Sequence, residues 1–357
     1  MKRRFRSIPR GFTLVELMVA LVVGLVVMLG VGQIFVQSKR TASVQEELAR
    51  LQENGRYALQ LLRWDIQRAG YLGCSHAATL KGNIVGNGGF TDDFEHFILG
   101  YEGTSGGWSP SLPGELDDTG TAEDDILPGT DVITLRFADG EGLRMTQPKQ
   151  PYQFTVRNLQ VENGACNGGA NRYSGLCAGD VMVVSDCTKA RAFEVESLHL
   201  SGNDLAIYHS NPAWGGPADM EPGNHFSPAH SHLFKGTTVS YFVRIRDADS
   251  GIPALYRKIG NGAAQELIEG VENLQILYGV DTDEDGIPNR FLDAAAVPDF
   301  RDVVSVRIAL LVRSIEERLN RAPAARSFTL LKSEITTPAD RHLRKVFDTV
   351  IQLRNGG

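Results

Sequence analysis

Three aspartates at alternate positions stand directly before a glycine in the segment DTDEDG, residues 281–286. Carboxylates at positions 1, 3 and 5 of such a loop can converge on one Ca²⁺, the glycine permits a sharp turn, and position 7 supplies a backbone carbonyl. The candidate calcium ligands are Asp281, Asp283, Asp285, the carbonyl oxygen of Ile287 and the side chain of Asn289. Calcium is therefore the cofactor that the sequence suggests.

Two interpretations of this loop stay open. An EF-hand loop is closed by a bidentate glutamate at position 12, but Leu292 occupies that position here, so Asn289 or Asp293 would have to replace it. The alternative is an acidic, solvated turn between two strands.

No other group of polar residues has a spacing typical of a reactive site. His225, His230 and His232 lie in a segment rich in Pro, Gly and Asn, and their spacing fits no standard metal site, which favours a solvated loop. The chain contains no G-x-S-x-G, no phosphate-binding loop and no H-E-x-x-H. We therefore expect no catalytic residue and a protein that is not an enzyme.

One isolated carboxylate lies in unusual surroundings. Residues 12–36 are almost wholly apolar and contain a single ionisable residue, Glu16. The stretch is long enough to cross roughly 30 Å of hydrocarbon, and the basic residues before it favour a cytoplasmic N-terminus. A carboxylate inside a spanning helix costs about 2.5–3.5 kcal/mol, so we expect Glu16 to serve a purpose rather than to be merely tolerated near the membrane surface.

The helical pattern continues beyond residue 36 and becomes amphipathic. Apolar residues at three- and four-residue spacing, or multiples of it, are Val44, Leu48, Leu51, Ala58, Leu62 and Ile66. We expect one long helix with a membrane half at 12–36 and an amphipathic continuation at 37–73 that packs on a sheet. Gly70 and Gly73 offer a natural stop, and residues 74–357 then form a β-rich head.

Short segments rich in β-branched or aromatic residues predict the strands of the head. They are residues 131–137, 152–161, 180–185, 192–200, 205–209 and a closing strand at 346–353. Alternation of apolar and polar residues in 239–246 and 304–313 predicts half-buried antiparallel strands. Residues 265–278 are expected to open as a helical turn and end as a strand, and residues 82–129 to form a long ordered loop region with few regular elements. The fold class is α+β.

Charge excludes one class of partner. The 357-residue chain has a net charge of −7 that includes five basic residues within positions 1–11, so the remainder is more acidic still. Nucleic-acid binding needs clustered Lys and Arg, and we do not expect nucleic acid as a primary partner.

The four cysteines lie beyond the apolar stretch, where an oxidising compartment is expected. They are Cys74, Cys166, Cys177 and Cys187, and they allow two disulfides. Cys166 with Cys177 and Cys74 with Cys187 is one of three possible pairings. A zinc site is the alternative, although no C-x-x-C is present.

The junction between the basic and the apolar segment resembles a known signal. The residues Gly11-Phe12-Thr13-Leu14-Val15-Glu16 resemble the G-F-T-L-x-E class III signal of type IV prepilins. The resemblance implies that residues 1–11 are a leader, that prepilin peptidase cuts after Gly11 and N-methylates Phe12, and that Glu16 neutralises the terminal amine of a neighbouring subunit during assembly. A buried carboxylate and a buried amine are each costly alone, and pairing offsets part of both penalties.

Motifs further along the chain narrow the resemblance to the PilW family of minor pilins of type IV pili. They are YLGC (71–74), SDC (185–187), YGVDTDEDG (278–286), VVSVRIALLVRS (303–314) and LRKVFDTVIQLRN (343–355). The resemblance implies a type IV pilin-like fold, in which a long N-terminal helix packs on an elaborated antiparallel sheet. It also implies a role in initiating pilus assembly at or near the tip, with consequences for twitching motility and adhesion.

The resemblance further implies partners and a location. The partners are other minor pilins, the major pilin, prepilin peptidase, the inner-membrane assembly platform and a PilY-type tip adhesin. The protein would span the inner membrane once with its head in the periplasm, and later reside in the extracellular pilus. Two alternatives remain, namely a J-type minor pseudopilin of type II secretion and a membrane-anchored calcium-dependent binding protein.

Overall fold

The computed structural model describes residues 13–73, 84–85, 89–116, 125–150, 152–159, 164–166, 169–209, 226–246, 250–317 and 322–355. The chain divides into two compact units, Met1–Arg50 and Leu51–Gly357, called here the N-terminal and the C-terminal unit.

A single helix, α1, runs over Leu14–Arg68. Its buried face begins in the C-terminal unit, at the three- and four-residue spacing that the sequence predicts, and consists of Leu51, Gly55, Ala58, Leu62, Asp65 and Ile66. Leu48, which belongs to the same predicted stripe, is 38% exposed. The helix ends at Arg68, and Gly70 takes a φ of 77°, a conformation that favours glycine.

The described residues form eighteen strands. They are β1 (Ile84–Val85), β2 (Ile98–Thr104), β3 (Gly107–Ser109), β4 (Val132–Arg144), β5 (Gln153–Arg157), β6 (Val181–Ser185), β7 (Ala190–Glu194), β8 (Ser197–Ser201), β9 (Asp204–Tyr208), β10 (His232–Ile245), β11 (Pro253–Ile259), β12 (Gln265–Glu269), β13 (Val271–Val280), β14 (Arg290–Leu292), β15 (Val303–Arg313), β16 (Ser327–Leu330), β17 (Ser333–Thr336) and β18 (Arg344–Gln352). Two short 3₁₀ helices, Ala294–Ala296 and Phe300–Asp302, lie between β14 and β15.

These strands form four sheets. The largest has nine strands in the order β1-β7-β6-β10-β4-β2-β3, with β11 and β12 continuing from β10. A four-stranded sheet has the order β14-β13-β15-β18, a three-stranded sheet the order β5-β9-β8, and β16 pairs with β17. The strand pairs are antiparallel except for β1 with β7. A long helix followed by antiparallel sheets confirms the predicted α+β, pilin-like fold class.

The main core lies between α1 and the two larger sheets. Leu62 and Ile66 of the helix are fully buried there together with apolar residues of β4, β10, β13 and β15. Gly55 leaves room for the ring of Phe347 in β18, since a side chain at that position would collide with it. One polar contact also fixes the helix, because the hydroxyl of Tyr241 donates a hydrogen bond to Asp65 Oδ2 at 2.6 Å.

Several expectations about the strands were wrong. The predicted helical turn at the start of 265–278 is the strand β12, which pairs with β11 before Gly270, at a φ of 82°, leads into β13. Residues 192–200 are divided between β7 and β8, which belong to different sheets. The region 82–129, in contrast, has few regular elements as expected, namely the strands β1, β2 and β3 among the residues that the structure describes.

The two strands with alternating sequences are buried on both faces rather than on one. In β15 only Arg307 is exposed, and in β10 the stretch from Val239 to Val243 is entirely buried. Polar residues on the second face have partners inside the protein. The hydroxyl oxygens of Ser240 and Thr134, for example, are 2.8 Å apart and share a hydrogen bond. Alternation predicts a solvated face only where no further layer covers it.

Candidate functional site

The helix start carries a capping box formed by Thr13 and Glu16. The Thr13 hydroxyl oxygen accepts the N–H of Glu16 at 3.3 Å, and Glu16 Oε2 accepts the N–H of Thr13 at 3.3 Å. Such reciprocal bonds satisfy two of the N–H groups that a helix leaves unpaired at its start. Glu16 therefore caps its own helix in the isolated chain. The predicted cleavage and methylation residues, Gly11 and Phe12, lie outside the described residues.

The following helical residues present apolar side chains that no other described part of the chain covers. The large apolar side chains from Leu14 to Val36 are 47–76% exposed. By length and composition, α1 is long and apolar enough to cross a membrane. Exposed apolar area of this extent is unfavourable in water, so these residues need a lipid or a protein surface around them.

A second exposed group lies on α1 within the C-terminal unit. Tyr57 is 51% exposed and Trp64 is 67% exposed, and their separation of seven positions places both on the same side of the helix. Arg56 and Arg63 flank them and are exposed as well. The sequence analysis missed this pair, although two aromatic residues at heptad spacing on an otherwise charged face are a signal that could have found it.

The predicted calcium loop is the connection between two paired strands of the four-stranded sheet. β13 pairs with β14 from Tyr278 opposite Leu292 to Val280 opposite Arg290, so the loop joins the ends of a hairpin. Asp281, Asp283 and Asp285 each direct a carboxylate oxygen into one group in which these atoms lie within 4.8 Å of one another. Asp281 is buried, while the other two are exposed.

Backbone hydrogen bonds fix the carboxylate of Asp281. Its Oδ1 accepts the N–H groups of Asp283 and Glu284 at 3.1 and 2.8 Å, and its Oδ2 accepts that of Gly286 at 2.7 Å. Burial alone would raise the pKa of Asp281, but these three donors outweigh burial and lower the pKa below its usual value. The first aspartate of the loop is therefore held as an anion.

The remaining predicted ligands are less well placed. The side-chain oxygen of Asn289 accepts the N–H of Thr282 at 2.6 Å, and its amide nitrogen donates to Asp283 at 3.1 Å. Asp293, the other candidate for closing the loop, lies 3.5 Å from Lys332 Nζ in an ion pair. Three carboxylates, with the carbonyl oxygen of Ile287 as a predicted fourth ligand, form a set of oxygen donors that suits a hard cation such as Ca²⁺.

The described histidines do not form such a group. Among the described residues, the aspartate group is the one place where three or more His, Cys, Asp or Glu side chains converge at ligand distances. His232 begins β10, with its backbone paired to Ser185 of β6 and Arg144 of β4. His225 lies outside the described residues.

The described cysteines form disulfides. Cys166 and Cys177 are joined, with their Cα atoms 5.7 Å apart. Cys187 is also disulfide-bonded, and Cys74, its predicted partner, lies outside the described residues. Bonded sulfurs are not thiolate ligands, so the zinc alternative does not hold for these three cysteines.

Two segments of the chain, one at each end, match models of known protein families. Residues 6–32 match the model of the prokaryotic N-terminal methylation motif, and residues 240–355 match that of type IV pilus-assembly protein W. The second match begins within β10, at residue 240, and extends past the end of β18. It includes the acidic loop at 281–286. Comparison with curated proteins found no match, and comparison with solved structures found none either.

The two matched regions agree with the structure. The methylation motif covers the exposed apolar start of α1, and the second match covers the four-stranded sheet that packs on the later part of that helix. The first model describes an N-terminal methylation motif, and the second describes a protein of type IV pilus assembly. The chain therefore carries an N-terminal methylation motif of the prepilin type and, over residues 240–355, a domain that matches the PilW family, type IV pilus-assembly protein W.

Proposed function

We propose that this protein is a minor pilin, processed after Gly11, N-methylated at Phe12 and incorporated into a type IV pilus at or near its tip. The observation that carries the proposal is the start of α1, where exposed apolar side chains surround one carboxylate, Glu16. A membrane anchor needs the apolar residues and can use the carboxylate only as a helix cap. An assembly subunit needs both, because its helix moves from lipid into contact with other helices.

The pairing of Glu16 with the methylated amine of a neighbour supports this proposal physically. The capping box leaves Glu16 bonded only to the neutral N–H and hydroxyl of Thr13 in the described part of the chain. A terminal amine from another subunit would add an opposite charge, which offsets much of the cost of keeping the carboxylate out of water. Such a pair would also set the register between packed helices.

The size of the C-terminal unit supports a position at the tip. Leu51–Gly357 forms one compact unit with four sheets, which would be hard to repeat at close intervals along a fibre. An end position removes that steric restriction and leaves the unit free to contact a PilY-type adhesin and other minor pilins. The exposed pair Tyr57 and Trp64 offers these partners, or the major pilin, an aromatic surface on the helix.

Replacing Glu16 tests the proposal directly. Glu16→Ala should still insert into the inner membrane, because the apolar stretch is unchanged, but its amount in sheared pili should fall by roughly tenfold or more as the pairing charge is lost. The matched control is Glu46→Ala on the same helix, which removes an exposed ion pair with Arg50 and should leave incorporation unchanged. Immunoblots of membranes and of sheared pili measure both.

Equal incorporation of Glu16→Ala and the unaltered protein would contradict the proposal and favour a simple anchor. A J-type pseudopilin of type II secretion is the alternative assembly subunit, since it shares the helix start. Deletion of the gene separates the two, because loss of twitching motility supports the pilus and loss of exoprotein secretion supports the pseudopilin.

We also propose that the loop between β13 and β14 binds Ca²⁺. The support is the convergence of Asp281, Asp283 and Asp285 on one point with Asp281 held as an anion. A ligand that binds only the folded state stabilises it by about 2.7 kcal/mol at one hundred times its Kd, so calcium should raise the melting temperature.

The calcium test compares positions within the same loop. Asp281→Ala with Asp283→Ala should abolish the calcium-dependent rise in Tm, whereas Glu284→Ala should retain it, because position 4 supplies no ligand in a loop of this type. Differential scanning fluorimetry with Ca²⁺ and with a chelator measures the shift. The absence of any calcium effect on the unaltered protein would refute the site without affecting the proposed assembly role.

A further inference from the structure

The two larger sheets meet at Asp131, the residue before β4. Its carboxylate accepts the N–H of Gly103 in β2 at 2.9 Å and the N–H of Ile276 in β13 at 2.7 Å. Its own N–H donates to the carbonyl oxygen of Leu274 in β13 at 2.9 Å. Asp131 is only 2% exposed, so a buried carboxyl group links a strand of the nine-stranded sheet to a strand of the four-stranded sheet.

A second carboxyl group lies beside this link. Glu102 precedes Gly103 in β2, and its Oε2 is buried without a hydrogen-bond partner in the described part of the chain. The backbone N–H of Ala294 is a hydrogen-bond donor to the same side chain. A buried carboxylate oxygen without a donor is costly as an anion and much less costly when it carries a proton.

The surroundings of the two carboxyl groups supply little positive charge. Tyr278 is 1% exposed, and its hydroxyl lies against Gly100 of β2 without a hydrogen-bond partner among the described residues. Tyr101 lies near that hydroxyl, and Asp293 adds a further negative charge. Lys332 is the cation that acts on Glu102, but its side chain is 52% exposed and already pairs with Asp293.

The directions of the pKa values agree with this geometry. Burial and then the charge of Glu102 raise the pKa of Asp131 well above its usual value, against the smaller effect of the donors Gly103 and Ile276. Burial and then the charge of Asp293 raise the pKa of Glu102, although the N–H of Ala294 and the charge of Lys332 oppose this. Both carboxyl groups therefore bind protons more strongly in the folded than in the unfolded chain.

We propose that Asp131 and Glu102 form a proton-linked joint between the two sheets. At acidic pH the pair holds a proton and the joint is closed. As pH rises, the proton leaves for solvent, and repulsion between the two carboxylates loosens the contact between β2 and β13. This joint goes beyond the assembly role and does not involve Asp281, Asp283 or Asp285 of the proposed calcium loop.

The sign of the effect follows from linkage. A group with a raised pKa in the folded state makes the folded chain bind more protons, so stability falls as pH rises through that folded pKa. For one proton, the unfolding equilibrium constant should change by up to about tenfold per pH unit. Other groups add their own slopes, so the quantity to measure is the difference between the unaltered protein and a variant.

The test uses the full chain in detergent micelles, unfolded with urea between pH 4 and pH 8. Glu102→Gln should flatten the fall in stability with pH, while Glu141→Gln, the same change at an exposed position of β4, should run parallel to the unaltered protein. Hydrogen exchange of peptides covering β2 and β13, corrected for intrinsic rates, should increase with pH in the unaltered protein and less so in Glu102→Gln.

A second variant should shift the pH dependence of stability in a defined direction, and it tests the proposal even if Glu102→Gln does not fold. Lys332→Gln removes the cation that lowers the pKa of Glu102, so the pH range of falling stability should move upward. A Glu102→Gln profile parallel to that of the unaltered protein would overturn the proposal. So would a Lys332→Gln profile that stays in place or moves downward.

Discussion

Removing a single hydroxyl group from Tyr241 tests how α1 is held against the nine-stranded sheet. The hydroxyl donates to Asp65 Oδ2 at 2.6 Å, and the two residues are only 1% and 6% exposed. Burial and then the charge of Asp65 raise the pKa of Tyr241, so the phenol stays protonated and remains a donor. Tyr241→Phe leaves the Asp65 carboxylate buried with Arg68 Nη1 at 3.8 Å as its nearby charge.

The magnitude follows from the type of bond that is lost. A hydrogen bond to a charged group contributes about 1.5–3 kcal/mol, and the carboxylate left behind keeps its desolvation penalty. We therefore expect Tyr241→Phe to lower the free energy of unfolding by about 2–3 kcal/mol. Tyr256→Phe is the control, because its hydroxyl lies 3.4 Å from Glu266, which keeps its bonds to Arg246. The same hydroxyl also hydrogen-bonds with Arg244, and its loss should cost about 1 kcal/mol, the net value of an ordinary hydrogen bond.

Urea unfolding of the full chain in detergent, followed by circular dichroism, measures the two free energies. Adding Asp65→Leu to Tyr241→Phe should recover part of the loss, because removing both partners leaves no unpaired carboxylate. If Tyr241→Phe cost no more than Tyr256→Phe, the buried bond would not be what fixes the helix, and the reasoning would be refuted.

Two further predictions concern packing and pH. Leu62→Ala should lower the free energy of unfolding by about 2–5 kcal/mol in urea titrations, because Leu62 is fully buried. Leu48→Ala, at a position that is 38% exposed, should lower it much less. Equal losses in the two variants would contradict the packing of α1. His96 hydrogen-bonds to Asp93 at 2.9 Å, and this bond raises the pKa of His96. Burial alone would raise the pKa of Asp93, but the bond to His96 and the charge of Arg136 together lower it. The stabilisation from His96 is lost as pH rises above 6.5, and that from Asp93 is lost as pH falls below 3.8. His96→Gln should therefore lower the free energy of unfolding most near pH 5 and least above pH 8. A loss of stability that does not vary with pH would contradict this prediction.

The sequence predicted the elements whose patterns depend on local periodicity. The helix face from Leu51 to Ile66 could be predicted because a stripe at three- and four-residue spacing has one physical interpretation in a long helix. The strands β4, β6, β9, β15 and β18 were found for a similar reason, since β-branched runs bounded by turn residues are typical of strands.

The errors arose where tertiary pairing decides the structure. Gln265–Glu269 contains no β-branched residue apart from Ile268, and only its pairing with β11 makes it a strand. The division of 192–200 between two sheets depends on which partner strands lie nearby, which local sequence does not encode.

The candidate sites show the same limit. The spacing of Asp281, Asp283 and Asp285 predicts their convergence, because all three belong to one short loop. The joint at Asp131 and Glu102 could not be predicted, since Gly103 and Ile276 are brought together only by the pairing of distant strands.

The mass of the mature N-terminus tests the central claim most directly. Intact-mass and peptide mass spectrometry of the protein isolated from membranes or pili should find a chain that begins at Phe12 and carries one added methyl group. A chain that still contains residues 1–11, or one that begins at another residue, would contradict the assignment as a processed pilin subunit.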